Sequence, residues 1–129
     1  MVVDDDIIRA RIRRNGFEEA AGEFFLDADN AKKLCEEYGL NFNDFLMGLF
    51  KSRNCWTCVF KRKTYFLNAS PMHEIDNRWL DKCLDDFLYA QGKETHEEFL
   101  ELRPGVKMWF ANFSVGCAML NLFSLIAKD

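Results

Sequence analysis

Between residues 77 and 90 the apolar residues Trp79, Leu80, Cys83, Leu84, Phe87 and Leu88 recur at i, i+1, i+4, i+5, i+8 and i+9. That spacing predicts one helix with a single buried face. Asp76 or Asn77 is placed to cap it, Ala90 to close it, and Gly92 to end it. Weaker patterns of the same kind precede it. Residues 4–14 begin with three aspartates and close with Arg9, Arg11, Arg13 and Arg14, the charge order that complements a helix dipole, and Asn15-Gly16 supplies a stop. Residues 17–26 continue helically. Asp27 or Asp29 then caps a helix that runs to Tyr38 and ends at Gly39, with Ala31, Leu34, Cys35 and Tyr38 on its buried side.

Three further segments complete the prediction. Asn41 and Asp44 stand at capping-box-like spacing before FNDFLMGLFK, where Phe42, Phe45, Leu46, Leu49 and Phe50 fall at helical spacing, so a core helix is expected there. CWTCVF and TYFL are β-rich and read as one long strand or as a hairpin turned at residues 61–63. Thr95 and Glu98 form a second capping box, predicting a short helix that Pro104-Gly105 terminates. From Trp109 to Ala127 nineteen residues carry no charge, about the length of a membrane span. Asn112, Ser114, Gly116, Asn121 and Ser124 interrupt that run, however, and it divides better into a strand over 106–115 and a buried helix over 117–128. A membrane-bound reading is therefore disfavoured.

The fold class expected is α+β, predominantly helical, with five or six short helices packed on a small antiparallel sheet made of strands near 55–67 and 106–113. With 129 residues, 49% of them apolar, and nineteen aromatic rings, a single globular domain over 1–129 is the expectation, with a core large enough to need no disulfide. The five cysteines are an odd number and the first fourteen residues contain no continuous apolar stretch. Free thiols in a reducing, cytoplasmic compartment are the reading that follows.

Cys55 and Cys58, in NCWTC, have the spacing of redox dithiols and zinc knuckles. In a strand, residues i and i+3 lie about 10 Å apart and point to opposite faces, too far for a disulfide. The order here, helix and then strand, is also the reverse of a thioredoxin-type site. His73, Cys83, His96 and Cys117 are the remaining candidates for a zinc set, but the β-forming neighbours of the pair offer no glycine or proline for a knuckle. Packing is the favoured role, and no cofactor or metal is expected. The sequence contains no nucleophile elbow, phosphate-binding loop or H-E-x-x-H, and the chain is not expected to be an enzyme. Residues 29–51 can be compared with helix-turn-helix DNA binders, yet FNDFLMGLFK offers almost no side chains that read bases. No family is assigned.

Charge separates the remaining functional readings. Residues 45–73 contain no acid and five bases, Lys51, Arg53, Lys61, Arg62 and Lys63, interleaved with aromatic rings. Such a segment fits the backbone and bases of a nucleic acid. Residues 74–101 carry nine acids against three bases. That segment fits a basic protein surface instead. The two segments could also simply neutralise each other. Because the whole chain is −4, the leading expectation is a small acidic protein-binding module of the inhibitor, immunity or adaptor kind. Its binding face would comprise Asp81, Asp85, Asp86, Glu94, Glu97, Glu98 and Glu101. A nucleic-acid-associated module built on Lys51, Arg53, Lys61, Arg62 and Lys63, with help from Arg11, Arg13 and Arg14, is the second reading. A metal or redox protein using Cys55 and Cys58, with His73, Cys83 or His96, is the third. A homodimer through the apolar C-terminal helix is the self-association the sequence suggests.

Overall fold

The structure is a computed structural model and describes residues 4–92 and 96–127. Its elements are α1 (Asp5–Arg14), α2 (Phe17–Ala21), α3 (Ala28–Tyr38), β1 (Phe45–Ser52), β2 (Cys55–Phe60), β3 (Lys63–Asn68), β4 (His73–Asp76), α4 (Asn77–Gln91), β5 (Phe99–Arg103), β6 (Val106–Trp109) and α5 (Phe113–Ile126). Strands β1 to β4 form an antiparallel meander in chain order, and β5 and β6 form a separate hairpin. The α+β class read from the sequence is the one observed.

The meander is covered on both sides. Trp56, Cys58, Phe60 and Leu67 pack with Ala31, Leu34 and Cys35 of α3 in one core. Val59, Phe66 and Ile75 pack in a second core with Ile8, Phe17, Leu80, Leu84, Met108, Met119, Leu122 and Phe123. The β5–β6 hairpin lies on this second side, where the Thr57 hydroxyl donates to the Trp109 carbonyl. Asn68 Nδ2 donates to the Lys107 carbonyl at 3.4 Å beside it.

Helices α1, α3 and α4 start where the sequence places them, whereas α5 starts at Phe113, ahead of the expected 117. Asp4 caps α1 through the Asp6 amide, Asp27 caps α3 through the Asn30 amide, and Asp76 caps α4 through the Arg78 amide. Gly39 ends α3 at φ 69°, the left-handed conformation that glycine adopts without a Cβ clash. Asn77 fastens the first turn of α4 to the sheet. Its Nδ2 donates to the Phe60 carbonyl at 2.7 Å, and its Oδ1 accepts from the Thr64 hydroxyl at 2.8 Å. This network is buried, with both side-chain polar groups of Asn77 satisfied.

Two expected helices are strands. The capping pattern at Asn41 serves only a single 3-10 turn, Phe42–Asp44, after which Phe45–Ser52 pairs with β2. Residues 45–49 are all buried, so the run suits a strand covered on both faces, and tertiary pairing overrides the helical spacing. A register shift between Phe45 and Met47 disturbs the alternation that would have marked a strand. The comparison with helix-turn-helix binders fails with it. The second correction concerns residues 96–103. They contain no helix, and Pro104-Gly105 is the two-residue turn of the β5–β6 hairpin, with Gly105 at φ 82°. Thr95, the expected cap, lies outside the described residues.

The C-terminal region also differs from expectation. The strand predicted over 106–115 stops at Trp109 and does not join the main sheet, because Asn112 caps α5 by accepting from the Val115 amide at 2.9 Å. Helix α5 is central to the second core, as expected for an apolar helix. Ser114, Asn121 and Ser124 are its exposed positions. Among the described residues, no helix is long and apolar enough to cross a membrane.

Gly48 sets the spacing at the outer edge of the sheet. The Leu26 amide donates to its carbonyl at 3.1 Å, and Phe25 bridges to Leu49 beside it. A Cβ on Gly48 would lie 2.8 Å from Leu26 Cδ2, 3.1 Å from Phe45 Cε1 and 3.2 Å from Cys58 Sγ. Gly48→Val is therefore expected to destabilise the protein by about 1–3 kcal/mol in urea unfolding, although valine is the better strand former. An unchanged midpoint would contradict the packing described.

Candidate functional site

The sequence-predicted site residues fall in three places. Of the five bases between β1 and β3, four are occupied by carboxylates of this chain. Lys51 pairs with Glu98 at 3.3 Å, Arg53 with Glu37 at 3.4 Å, Lys61 with Asp5 at 3.1 Å and Lys63 with Glu74 at 3.2 Å. Lys51 also lies 5.9 Å from the centre of the Trp109 ring. Arg62, exposed at the β2–β3 turn, has no ion-pair partner among the described residues. The turn borders an open depression of about 460 Å³ lined by Asn41, Asp44, Phe60, Lys61, Arg62, Lys63 and Tyr65. Asp44 approaches Lys61 there to 4.0 Å, so even this hollow is internally compensated.

The cysteine pair is divided by its own strand. Cys55 borders the core beneath the hairpin, while Cys58 is buried in the core beneath α3. Burial pushes the Cys58 thiol strongly upward, with neighbouring Cys35 adding to it. Burial also raises the Cys55 thiol; Lys51 lowers it by more than Glu98 raises it, but not enough to offset burial. These are poor conditions for a thiolate nucleophile. His73 stacks on Phe66 at 5.4 Å, and Cys83 lies on α4 beside the second core. All five cysteines are free, and no group of three metal-binding side chains gathers among the described residues.

The acidic residues do not share one surface element. Glu98 is committed to Lys51 and accepts from Trp109 Nε1 at 3.1 Å. Glu101 is exposed on β5 opposite Lys107, Glu97 is exposed just before β5, and Glu94 lies outside the described residues. Asp81, Asp85 and Asp86 form a different group, on α4. Its buried line is Asn77, Leu80, Leu84 and Leu88, which leaves Asp81 on the flank and Asp85 and Asp86 outside. None of these three is ion-paired among the described residues. Burial, and then the Asp85 carboxylate one turn along, push the Asp81 carboxyl above its ordinary range.

Two aromatic rings accompany these carboxylates. Trp79 is 47% exposed and Tyr89 is 91% exposed, both on the outer side of α4. Periodicity placed Trp79 in the buried stripe, but Leu80 occupies that line and Trp79 lies beyond its edge. Tyr89 was legible as an outward position from the same helical spacing. The outer face of α4 thus combines carboxylates outside any ion pair among the described residues with exposed rings.

Two measurements check this account. Because the folded state raises the Asp81 pKa, its ionised form is disfavoured there, so its contribution is best below the unfolded pKa and is lost as pH rises through the folded one. Asp81→Asn is therefore expected to stabilise the protein at neutral pH by about 0.2–0.5 kcal/mol, the size of a relieved like-charge pair. The gain should vanish below about pH 4; a pH-independent gain would contradict the assignment. In native protein at neutral pH, Cys58 should react with iodoacetamide far more slowly than in urea, and mild oxidant should not join it to Cys55. Rapid disulfide formation would restore the redox reading. No family model, curated protein or solved structure matches this chain.

Proposed function

We propose that this protein is a small binding module of the inhibitor, immunity or adaptor kind, and that it acts by covering a basic surface of another protein with the outer face of α4. The observation that carries this reading is the contrast between the two charged segments. Four of the five bases of residues 51–63 are spent on carboxylates of the same chain, whereas Asp81, Asp85 and Asp86 form no ion pair among the described residues, although Lys82 stands three and four residues before Asp85 and Asp86. Exposed Trp79 and Tyr89 supply the kind of aromatic anchor that carries binding energy at protein interfaces. Unpaired carboxylates around them would steer a basic partner and select against acidic ones.

The nucleic-acid reading loses ground for the same reason. Lys51, Arg53, Lys61 and Lys63 would each have to exchange an internal carboxylate for a phosphate. The metal or redox reading has neither a gathered ligand set among the described residues nor an activated thiol to support it.

The test is capture from nuclease-treated lysate of the source organism with tagged wild type, Asp85→Lys/Asp86→Lys and Trp79→Ala/Tyr89→Ala. One protein retained by wild type and lost by both variants is the expected result. With that partner purified, the charge variant should lower the association rate at least about tenfold and flatten its salt dependence. Equal rates and equal salt slopes would remove α4 as the docking face. Retention abolished by nuclease would move the function to nucleic acid.

A further inference from the structure

Helix α1 carries the opposite surface to α4. Arg9, Arg13 and Arg14 are exposed and Arg11 is half-buried, and none of the four is ion-paired among the described residues. Of the acids at its start, Asp4 caps the helix and Asp5 pairs with Lys61, which leaves Asp6, three residues before Arg9, as the exposed acid among four arginines. Ile7 is 53% exposed, and helical spacing aligns it with Arg11 and Arg14, four and seven residues on. A face with four arginines against Asp6 and one apolar anchor is the net-positive counterpart of a face with Asp81, Asp85 and Asp86 against Lys82 and two aromatic anchors.

A single molecule does not bring the two together. Helix α5 packs against both α1 and α4, and no ion pair among the described residues joins an α1 arginine to an α4 aspartate. We infer that the outer face of α1 docks on the outer face of α4 of a second copy of this chain. The dimensions agree, because the ten residues of α1 span about 15 Å, the same rise that separates Trp79 from Tyr89 on α4. The two surfaces differ, so the contact is heterologous and either closes into a small ring or continues as an open chain. Two short helical faces bury little area, which places the association in the weak, reversible class. The inference rests on α4 being a docking face. It adds that self-docking and capture of a basic partner compete for that face.

Sedimentation velocity on the full chain over a concentration series up to about 1 mM, the range weak interfaces require, tests this at low and high salt. Wild type should associate with rising concentration, and 0.5 M salt should weaken that association about tenfold. Arg9→Glu/Arg13→Glu/Arg14→Glu alone and Asp85→Lys/Asp86→Lys alone should each be monomeric, since each has two faces of like sign. Mixed one to one, they should associate again. The neutral Arg9→Gln/Arg13→Gln/Arg14→Gln variant, compared with wild type by urea unfolding, separates lost docking from lost folding, and it too should be monomeric. A monomeric wild type at every concentration, unchanged association of either reversal, or a mixture that stays monomeric overturns the proposal. Monomeric wild type whose arginine face instead binds single-stranded DNA overturns it in favour of a nucleic acid. The arginine variants leave α4 intact, so their capture of a basic partner reports on the docking function separately.

Discussion

Strand β2 has no solvent face, and the rest of the architecture answers that constraint. Trp56, Cys58 and Phe60 point into the core under α3, while Thr57 and Val59 point to the opposite side. A sheet buried on both faces needs a layer on each, since exposed apolar strands of this length would template aggregation. Helix α3 supplies one layer. The other is assembled from α1, α2, α4, α5 and the β5–β6 hairpin, elements drawn from both ends of the chain. Even the polar member of the strand is used, because Thr57 reaches the backbone of β6 and holds the hairpin against the sheet.

The same constraint explains where charge is spent. Lys51 and Lys61 lie at the ends of strands whose middles are buried and find carboxylates from the layer folded over the sheet, Glu98 and Asp5, while Lys63 pairs with Glu74 of the neighbouring strand β4. Exposed pairs of this kind contribute little stability. Their main consequence is that the basic segment presents little free positive charge. Helix α4 faces a different situation: its inner line is occupied by Asn77, Leu80, Leu84 and Leu88, and its outer positions Lys82, Asp85, Asp86 and Tyr89 are exposed among the described residues. The carboxylates and rings there remain unengaged, which is the physical basis for assigning recognition to that surface.

Legibility of the site followed the same division. Asp81, Asp85 and Asp86 were readable as outward positions on a strongly periodic helix. That Glu98 and Glu101 stand at a hairpin rather than on a helix was not, because Pro104-Gly105 serves equally as a helix stop and as a hairpin turn. The exposure of Trp79 was hidden by Leu80, as adjacent apolar residues on a helix cannot both hold the centre of a buried face. The ion pairs of Lys51 and Lys61 join residues 47 and 56 positions apart, and no local pattern encodes them.

By itself the sequence determined the elements whose signals are local. These are α1, α3 and α4 with an acid or amide at each start, the strand character of the β2–β3 region, and the placement of Cys55 and Cys58 on opposite faces of one strand. Each rests on interactions within about four residues or on the two-residue period of a strand. Tertiary structure alone decided that residues 45–52 are a strand rather than a helix, that residues 99–109 form a second sheet, and which charges are left unpaired. Strands β1 and β5 each pair with the next strand across a two-residue turn, and that pairing, together with burial against elements distant in the chain, outweighs a local preference of a few tenths of a kcal/mol per residue; the ion pairs likewise depend on distant partners.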